Sequence, residues 1–280
     1  MKKTIISEDL LRRFAENMRR EEKSERTREK YLHDAGRFLR FAGERTPDRE
    51  LVLAYKGELI RRYPPASANS MLAAVNALLR FAGRGDLCVR QFRVQKEIYR
   101  SESAELTRDE YLRLVAAAER DSDGRSALLL QTVCCTGIRI SELEYVTVEA
   151  VRSGEAQVNC KGKTRKIFIV SALREKLLRY AEENGVNRGP VFRTRTGKPL
   201  DRSNIWRRMK KLCAEAQIPP QKVFPHNLRH LFARAFYEKE HDISTLADIL
   251  GHSSVNTTRI YIISTGAEHA KRMEGMDLVT

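Results

Sequence analysis

Long apolar runs are missing from this 280-residue chain, and so are the residues that staple small extracellular proteins together. No stretch approaches the roughly 18 consecutive apolar residues of a membrane span. The opening MKKTIISEDLLRR has lysines but no apolar signal core, so neither a membrane nor a secreted protein is expected. The five cysteines (Cys88, Cys134, Cys135, Cys160, Cys213) are odd in number and form no CxxC, which argues against a disulfide framework or a zinc cluster. With 15 Gly and 8 Pro against 41% hydrophobic and 32% charged residues, the composition is neither fibrous nor disordered. Acid is the remaining shortage. There are 37 Asp+Glu against 52 Lys+Arg, a net +15 and a pI near 9.8, which points to a polyanionic partner, most often nucleic acid.

What is present falls into two parts. Residues 1–90 read as a small helical bundle with basic edges. Ser24 or Thr27 can cap a helix whose apolar residues Tyr31, Leu32, Ala35, Phe38 and Leu39 recur at helical spacing. Residues 47–62 read as a second helix stopped by Pro64-Pro65. Residues 67–81 read as a third, with Leu72, Val75, Leu78 and Leu79 on one face and Gly83 and Gly85 ending it. Arg61, Arg80 and Arg84 lie on or beside these helices. Residues 91–106 lose the helical period and read as a linker. Thr107 with Asp109 and Glu110 then caps a new helix, opening a second domain over 107–280. That domain is expected to be mostly helical with one β-hairpin, formed by residues 155–160 and 165–170 around Lys161-Gly162-Lys163-Thr164. A short helix is expected in the tail 262–280. Residues 151–211 hold 17 basic against 5 acidic residues, a local +12 that spans more than one element.

Four places put reactive or cationic groups where a core would not ask for them. Arg139 follows the turn at Gly137, although it could simply pair with Glu142 at i, i+3. Lys161 stands at the hairpin tip, where a solvated turn lysine is ordinary. His226 and Arg229 share a face of the helix opened by Pro225, while His226 and His230 at i, i+4 could instead be a metal pair lacking a third ligand. His252 follows Gly251, and Tyr261 stands nine residues on; each alone reads as a cap and as packing. Together they are one Lys, two Arg, two His and a Tyr, without paired carboxylates, a phosphate-cradling glycine loop or metal ligands. Such a set suits a site that must neutralise a phosphate without metal and supply its own nucleophile. Two guanidiniums can grip non-bridging oxygens, and a phenol (pKa about 10 in water) attacks more readily once cations favour its oxyanion.

The ordered set TGIRISEL, hairpin lysine, HNLRH, LGHSS and TTRIY resembles the tyrosine recombinase/integrase family, the short Xer-like and mobile-element integrases of bacteria in particular. The resemblance covers essentially the whole chain. It implies a mainly α fold with a small antiparallel β-hairpin: a helical core-binding domain followed by a mixed α+β catalytic domain, with no further arm-binding domain. It implies that Arg139 and Arg229 clamp the scissile phosphate and that Lys161 protonates the 5′-hydroxyl leaving group, with Lys163 as the alternative. His226 and His252 would assist at the phosphate, Tyr261 would form a 3′-phosphotyrosyl intermediate, and Glu142 would buttress the clamp. No cofactor, metal or ATP is implied.

The expected partner is double-stranded DNA carrying paired recombination sites, held by a monomer in solution that becomes a homo-tetramer on DNA and passes through a Holliday junction. An accessory directionality factor is a further candidate partner, and the expected setting is the cytoplasm, at the bacterial nucleoid. Arg61, Arg80, Arg84, Lys163 and Arg165 are the expected DNA contacts. The competing readings are a type IB-like topoisomerase with the same chemistry and a non-catalytic DNA-binding protein on the same fold.

Overall fold

The computed structural model describes residues 8–43, 45–94, 105–120, 124–160, 163–194 and 196–261, without the side chains of Cys160 and Lys163. The chain divides into two compact units, residues 1–96 and 97–280. The division falls inside the stretch expected to be a linker.

The first unit is helical. Helices α1 (Glu8–Arg20), α2 (Glu25–Ala42), α3 (Arg49–Arg62) and α4 (Pro65–Phe81) are followed by a 3-10 turn at Gly85–Leu87. Ser24 caps α2, its hydroxyl accepting the Thr27 amide at 3.3 Å. The proline pair does stop α3, but α4 starts at Pro65 itself, two residues before the expected start. Proline has no amide hydrogen to leave unpaired at the first helical position, and its fixed φ suits the helix. The most apolar helix, α4, sits at the centre: Leu72, Val75 and Leu79 bury against Phe38, Val52, Tyr55 and Leu59, and Leu78 against Leu10, Phe14, Met18 and Ala35. Two asparagines on α4 then hold the chain that leaves the unit. Asn76 pairs with the backbone of Val89 (2.8 and 3.0 Å), and Asn69 with that of Phe92 (2.9 and 2.7 Å).

The second unit begins with Glu105 and Leu106 already packed. Leu106 is in the core, its carbonyl accepts from Arg234 at 3.0 Å, and Arg234 also binds the Glu105 carboxylate. Helix α5 (Arg108–Glu119) opens with a full capping box, Thr107 and Glu110 bonding each other's amides at 2.9 and 3.2 Å. Helix α6 (Arg125–Thr136) packs against both α5 and α10 (Pro225–Glu240). Between them in sequence come a 3-10 helix (Ile140–Tyr145), α7 (Val148–Ser153), the hairpin β1 (Glu155–Cys160) and β2 (Lys163–Phe168), α8 (Ser171–Glu183) and α9 (Arg202–Glu215). The short helices α11 (Ile243–Leu250) and α12 (Val255–Arg259) follow. The fold is therefore mainly α with a two-stranded antiparallel sheet, as expected.

The hairpin register pairs Glu155 with Phe168 and Cys160 with Lys163. Strand β2 thus starts and ends two residues earlier than residues 165–170. The Ile169 amide still bonds the Gly154 carbonyl in register at 2.8 Å, but Gly154 is the left-handed cap of α7 (φ +84°), so the ladder ends there. Ala156, Val158 and Ile167 face inward, and Gln157, Asn159 and Lys166 face outward. The expected helix in the tail 262–280 lies outside the described residues.

Gly137 ends α6 at φ +61°, and a Cβ there would meet the Phe232 ring at 2.6 Å and the Leu250 side chain at 2.9 Å. Gly185 has the same backbone sign (φ +63°) in open space. Gly137→Ala should therefore cost about 2–4 kcal/mol, and Gly185→Ala about 1 kcal/mol. Denaturation followed by the fluorescence of the single tryptophan, Trp206 on α9, measures both; equal losses would refute the steric argument.

Candidate active site

Two helix ends and one buried cation organise the site. Helix α6 stops at Gly137 and α11 stops at Gly251 (φ +64°), both through left-handed glycines that turn the last carbonyls outward. Arg229, one turn into α10, lies between them and is only 2% exposed. One of its terminal nitrogens donates to the Gly137 carbonyl. The other donates to the Leu250 carbonyl at 2.6 Å and to His252 Nε2 at 3.0 Å. Burial, then the nearby Arg139 charge, lowers the Arg229 pKa to about 10, with Tyr261 acting in the opposite direction. It remains a cation at neutral pH.

A second cationic pair shares one carboxylate. Glu142, 3% exposed at its side chain, accepts the Arg139 amide at 2.9 Å, the Arg139 guanidinium at 2.8 Å and the Arg165 guanidinium at 2.5 Å. Burial pushes the Glu142 pKa up, but the Arg139 amide and the two guanidiniums outweigh it and hold the carboxyl below its ordinary value. The plain i, i+3 pairing of Arg139 with Glu142 is therefore real, and it coexists with Arg139's place beside Arg229. Arg165 also donates to the Ile249 carbonyl at 2.6 Å. Three guanidiniums face one carboxylate, so the described part of the site has a surplus of positive charge. Of the three, Arg139 is the most open, with a side chain 40% exposed against 12% for Arg165.

Tyr261 is brought to the same place by α12. Its ring lies 4.3 Å from that of His230 and 5.3 Å from those of His226 and His252, centroid to centroid, and the residue is buried. His252 is held from both sides, by Arg229 at Nε2 and by Thr258 Oγ1 at 2.9 Å from Nδ1. Burial and the surrounding arginines lower the His252 pKa to about 4, so the ring is neutral at pH 7. His226 and His230 stack edge to face at 4.7 Å, and no group of three His, Cys, Asp or Glu suited to a metal occurs among the described residues.

Five of the six residues singled out by chemistry thus converge: Arg139, His226, Arg229, His252 and Tyr261. Lys161 lies outside the described residues, as does the side chain of Lys163, so the choice between them is not met here. Arg165, expected on the DNA surface, is instead an interior group bonded to Glu142 and Ile249 and packed against Gly251, whose missing Cβ would fall 2.2 Å from Arg165 Cδ. Among the other expected contacts, Arg80 is exposed in the last turn of α4, Arg61 pairs with Glu58 at 2.8 Å, and Arg84 pairs with Asp86 at 3.1 Å. Two further residues, His230 and Thr258, stand at the tyrosine and carry no signal for it in the sequence. His230 repeats His226 one turn later, a spacing that reads as a metal pair, and Thr258 precedes Tyr261 by three.

The model of the phage integrase family matches residues 104–268, more than half the chain and all of the site. The chain belongs to the phage integrase family. This integrase is 27% identical over 281 residues to the tyrosine recombinase XerA of Pyrococcus furiosus, covering 97% of this chain and 94% of that protein. It is 31% identical over 185 residues to the tyrosine recombinase XerD of Xanthomonas axonopodis pv. citri, covering 60% of each. Among solved structures it resembles the XerA recombinase (TM-score 0.52, 25% identity, 98% and 99% of the two chains). It shares its fold with a lambda integrase (75–356) dimer bound to a COC' core site (TM-score 0.72, 20% identity, 91% and 94%). The protein is accordingly an enzyme of the tyrosine recombinase class. Among the described residues, no helix of this integrase is long and apolar enough to cross a membrane.

The site makes stability depend on pH with a defined sign. His252 takes up its proton near pH 4 when folded, against an ordinary value of 6.5. Between these values the unfolded chain binds a proton that the folded one refuses, so stability falls as pH drops from 6.5 to 4. The lowered Glu142 pKa adds a loss of the same sign as pH falls below the ordinary glutamate value. Chemical denaturation read at Trp206 across this range should show the decline, and His252→Asn should flatten it. An unchanged slope in the variant would refute the neutral, enclosed histidine.

Proposed function

We propose that the protein cuts and rejoins DNA strands at specific sites through a covalent bond between Tyr261 and a 3′-phosphate. The observation that carries this reading is the meeting of Tyr261 with Arg139, Arg229, His226 and His252 around one positively charged centre. Arg139 and Arg229 hold the non-bridging oxygens of the scissile phosphate, because a guanidinium offers paired donors and keeps its charge. His226 accepts the phenol proton or touches the phosphate, and His252 stands at the phosphate beside Arg229. Tyr261 attacks phosphorus, the new P–O bond forms as the bond to the 5′-oxygen breaks, and Lys161 returns a proton to that oxygen. The phosphodiester energy is kept in the phosphotyrosine, so rejoining needs no ATP. Glu142 holds Arg139 in place.

Residues 1–90 are proposed as a core-binding domain and residues 107–280 as the catalytic domain, joined by 91–106. The partner is double-stranded DNA with paired sites, gripped mainly through its phosphates, with Arg61, Arg80, Arg84 and Lys163 among the contacts. XerH has been solved on a difH substrate and lambda integrase as a tetramer on a Holliday junction. By analogy, we propose that this chain is a monomer in solution, forms a homo-tetramer on DNA, passes through a Holliday junction and works in the cytoplasm at the nucleoid. An accessory directionality factor would decide the sense of the exchange.

Nicked suicide DNA carrying the protein's own site should trap a covalent adduct that Tyr261→Phe abolishes and EDTA leaves intact. An adduct that survives Tyr261→Phe would sink the assignment. Arg139→Ala should leave DNA affinity within about threefold yet lower cleavage at least about a hundredfold, since binding is spread over many phosphates and the clamp acts on one. For the acid, DNA with a sulfur in place of the 5′-bridging oxygen needs no protonation on leaving. It should restore cleavage to Lys161→Ala; rescue of Lys163→Ala alone would transfer the role to Lys163.

A further inference from the structure

We propose that Thr258 is a positioning residue that fixes His252 as its Nδ1–H tautomer and so ties the helix bearing Tyr261 to the arginine clamp. The inference rests on the roles given above to Tyr261 and Arg229. A guanidinium nitrogen only donates, so the 3.0 Å contact between Arg229 and His252 Nε2 requires Nε2 to accept. The neutral ring then carries its proton on Nδ1, and that proton is donated to Thr258 Oγ1 at 2.9 Å. Thr258 is fully buried, while the neighbouring Thr257 is exposed.

The backbone of the same residue completes the link. The Thr258 carbonyl accepts the amide of Tyr261 at 2.9 Å. One residue therefore touches the histidine through its side chain and the tyrosine through its main chain. Without the hydroxyl, the Nδ1–H form would leave a donor without its acceptor inside the site. The other tautomer would set an Nε2–H against an Arg229 N–H, donor facing donor. In that second case Arg229 loses the imidazole as an acceptor.

The test uses the full chain with ¹⁵N-labelled histidine. In the wild type, the His252 nitrogen shifts should report a protonated Nδ1 and a bare Nε2. Thr258→Val, which keeps the shape and deletes the hydroxyl, should move the ring toward the Nε2–H form. It should slow single-turnover cleavage of suicide DNA by about tenfold or more while DNA affinity stays within twofold. Thr258→Ser should recover most of the rate, and Thr257→Val should behave as wild type.

A wild-type ring protonated at Nε2 overturns the proposal, and this holds even if Thr258→Val fails to fold. Unaltered tautomer and rate in Thr258→Val overturn it as well, and a tautomer change without loss of rate overturns the link to the clamp. If the wild type never forms a Tyr261-dependent adduct, the recombinase reading fails, whereas the nitrogen shifts still decide the tautomer.

Discussion

A guanidinium buried without a carboxylate is the constraint around which the second unit is built. Arg229 is 2% exposed, and its acceptors include two main-chain carbonyls and one imidazole nitrogen. Taking a charge out of water costs several kcal/mol unless its donors are met. Here the two terminal nitrogens are met at the carboxyl ends of α6 and α11, where the partial negative charge of a helix dipole collects, while Nε–H has no acceptor among the described residues. This arrangement stabilises the cation without cancelling it. A carboxylate in the same position would have formed a neutral pair, with much less attraction left for an anion. Arg139 and Arg165 show the contrast, because they share Glu142 between them.

The rest of the unit follows from supplying those two helix ends. Each must finish in a left-handed residue so that its last carbonyls can turn toward α10, and each does so at a glycine with a neighbour close by: Phe232 and Leu250 at Gly137, Arg165 at Gly251. The hairpin closes a third side, since Arg165 on β2 reaches both Glu142 and the last turn of α11. His252 leaves α11 immediately after Gly251 and presents Nε2 to Arg229. The chain then returns through α12 to lay Tyr261 over His226 and His230.

Much of this was legible in the residues. Caps, prolines and glycines located the helices to within a few positions, and the capping box at Thr107 marked the first helix of the second unit. The ordered motifs brought together residues as far apart as Arg139 and Tyr261, which no local pattern could do. The departures are also physical. Pro65 reads as a stop for α3, and it is also a good first residue for α4. The shift of β2 comes from Lys163 and Thr164, which read as turn residues yet pair with Cys160 and Asn159, and from Gly154 turning left-handed opposite Ile169. Arg165 looked like one more cation in a basic block, because its burial depends on α11 arriving 84 residues later in sequence. His230 and Thr258 act through ring contact and a single hydroxyl, which leave no periodic trace.

Gly137 also has an evolutionary consequence. Its carbonyl is an acceptor for Arg229, and its missing side chain makes the room in which α6, α10 and α11 approach one another. At most positions a lineage can first drift to a less stable residue, recover through a second change elsewhere, and keep its chemistry throughout. At Gly137 the two properties are one geometry, so compensation that restores packing by moving Phe232 or Leu250 also moves the acceptors of the buried cation. The path of gradual change is closed there, and descendants of this protein should either keep the glycine or rebuild the centre around a different arginine.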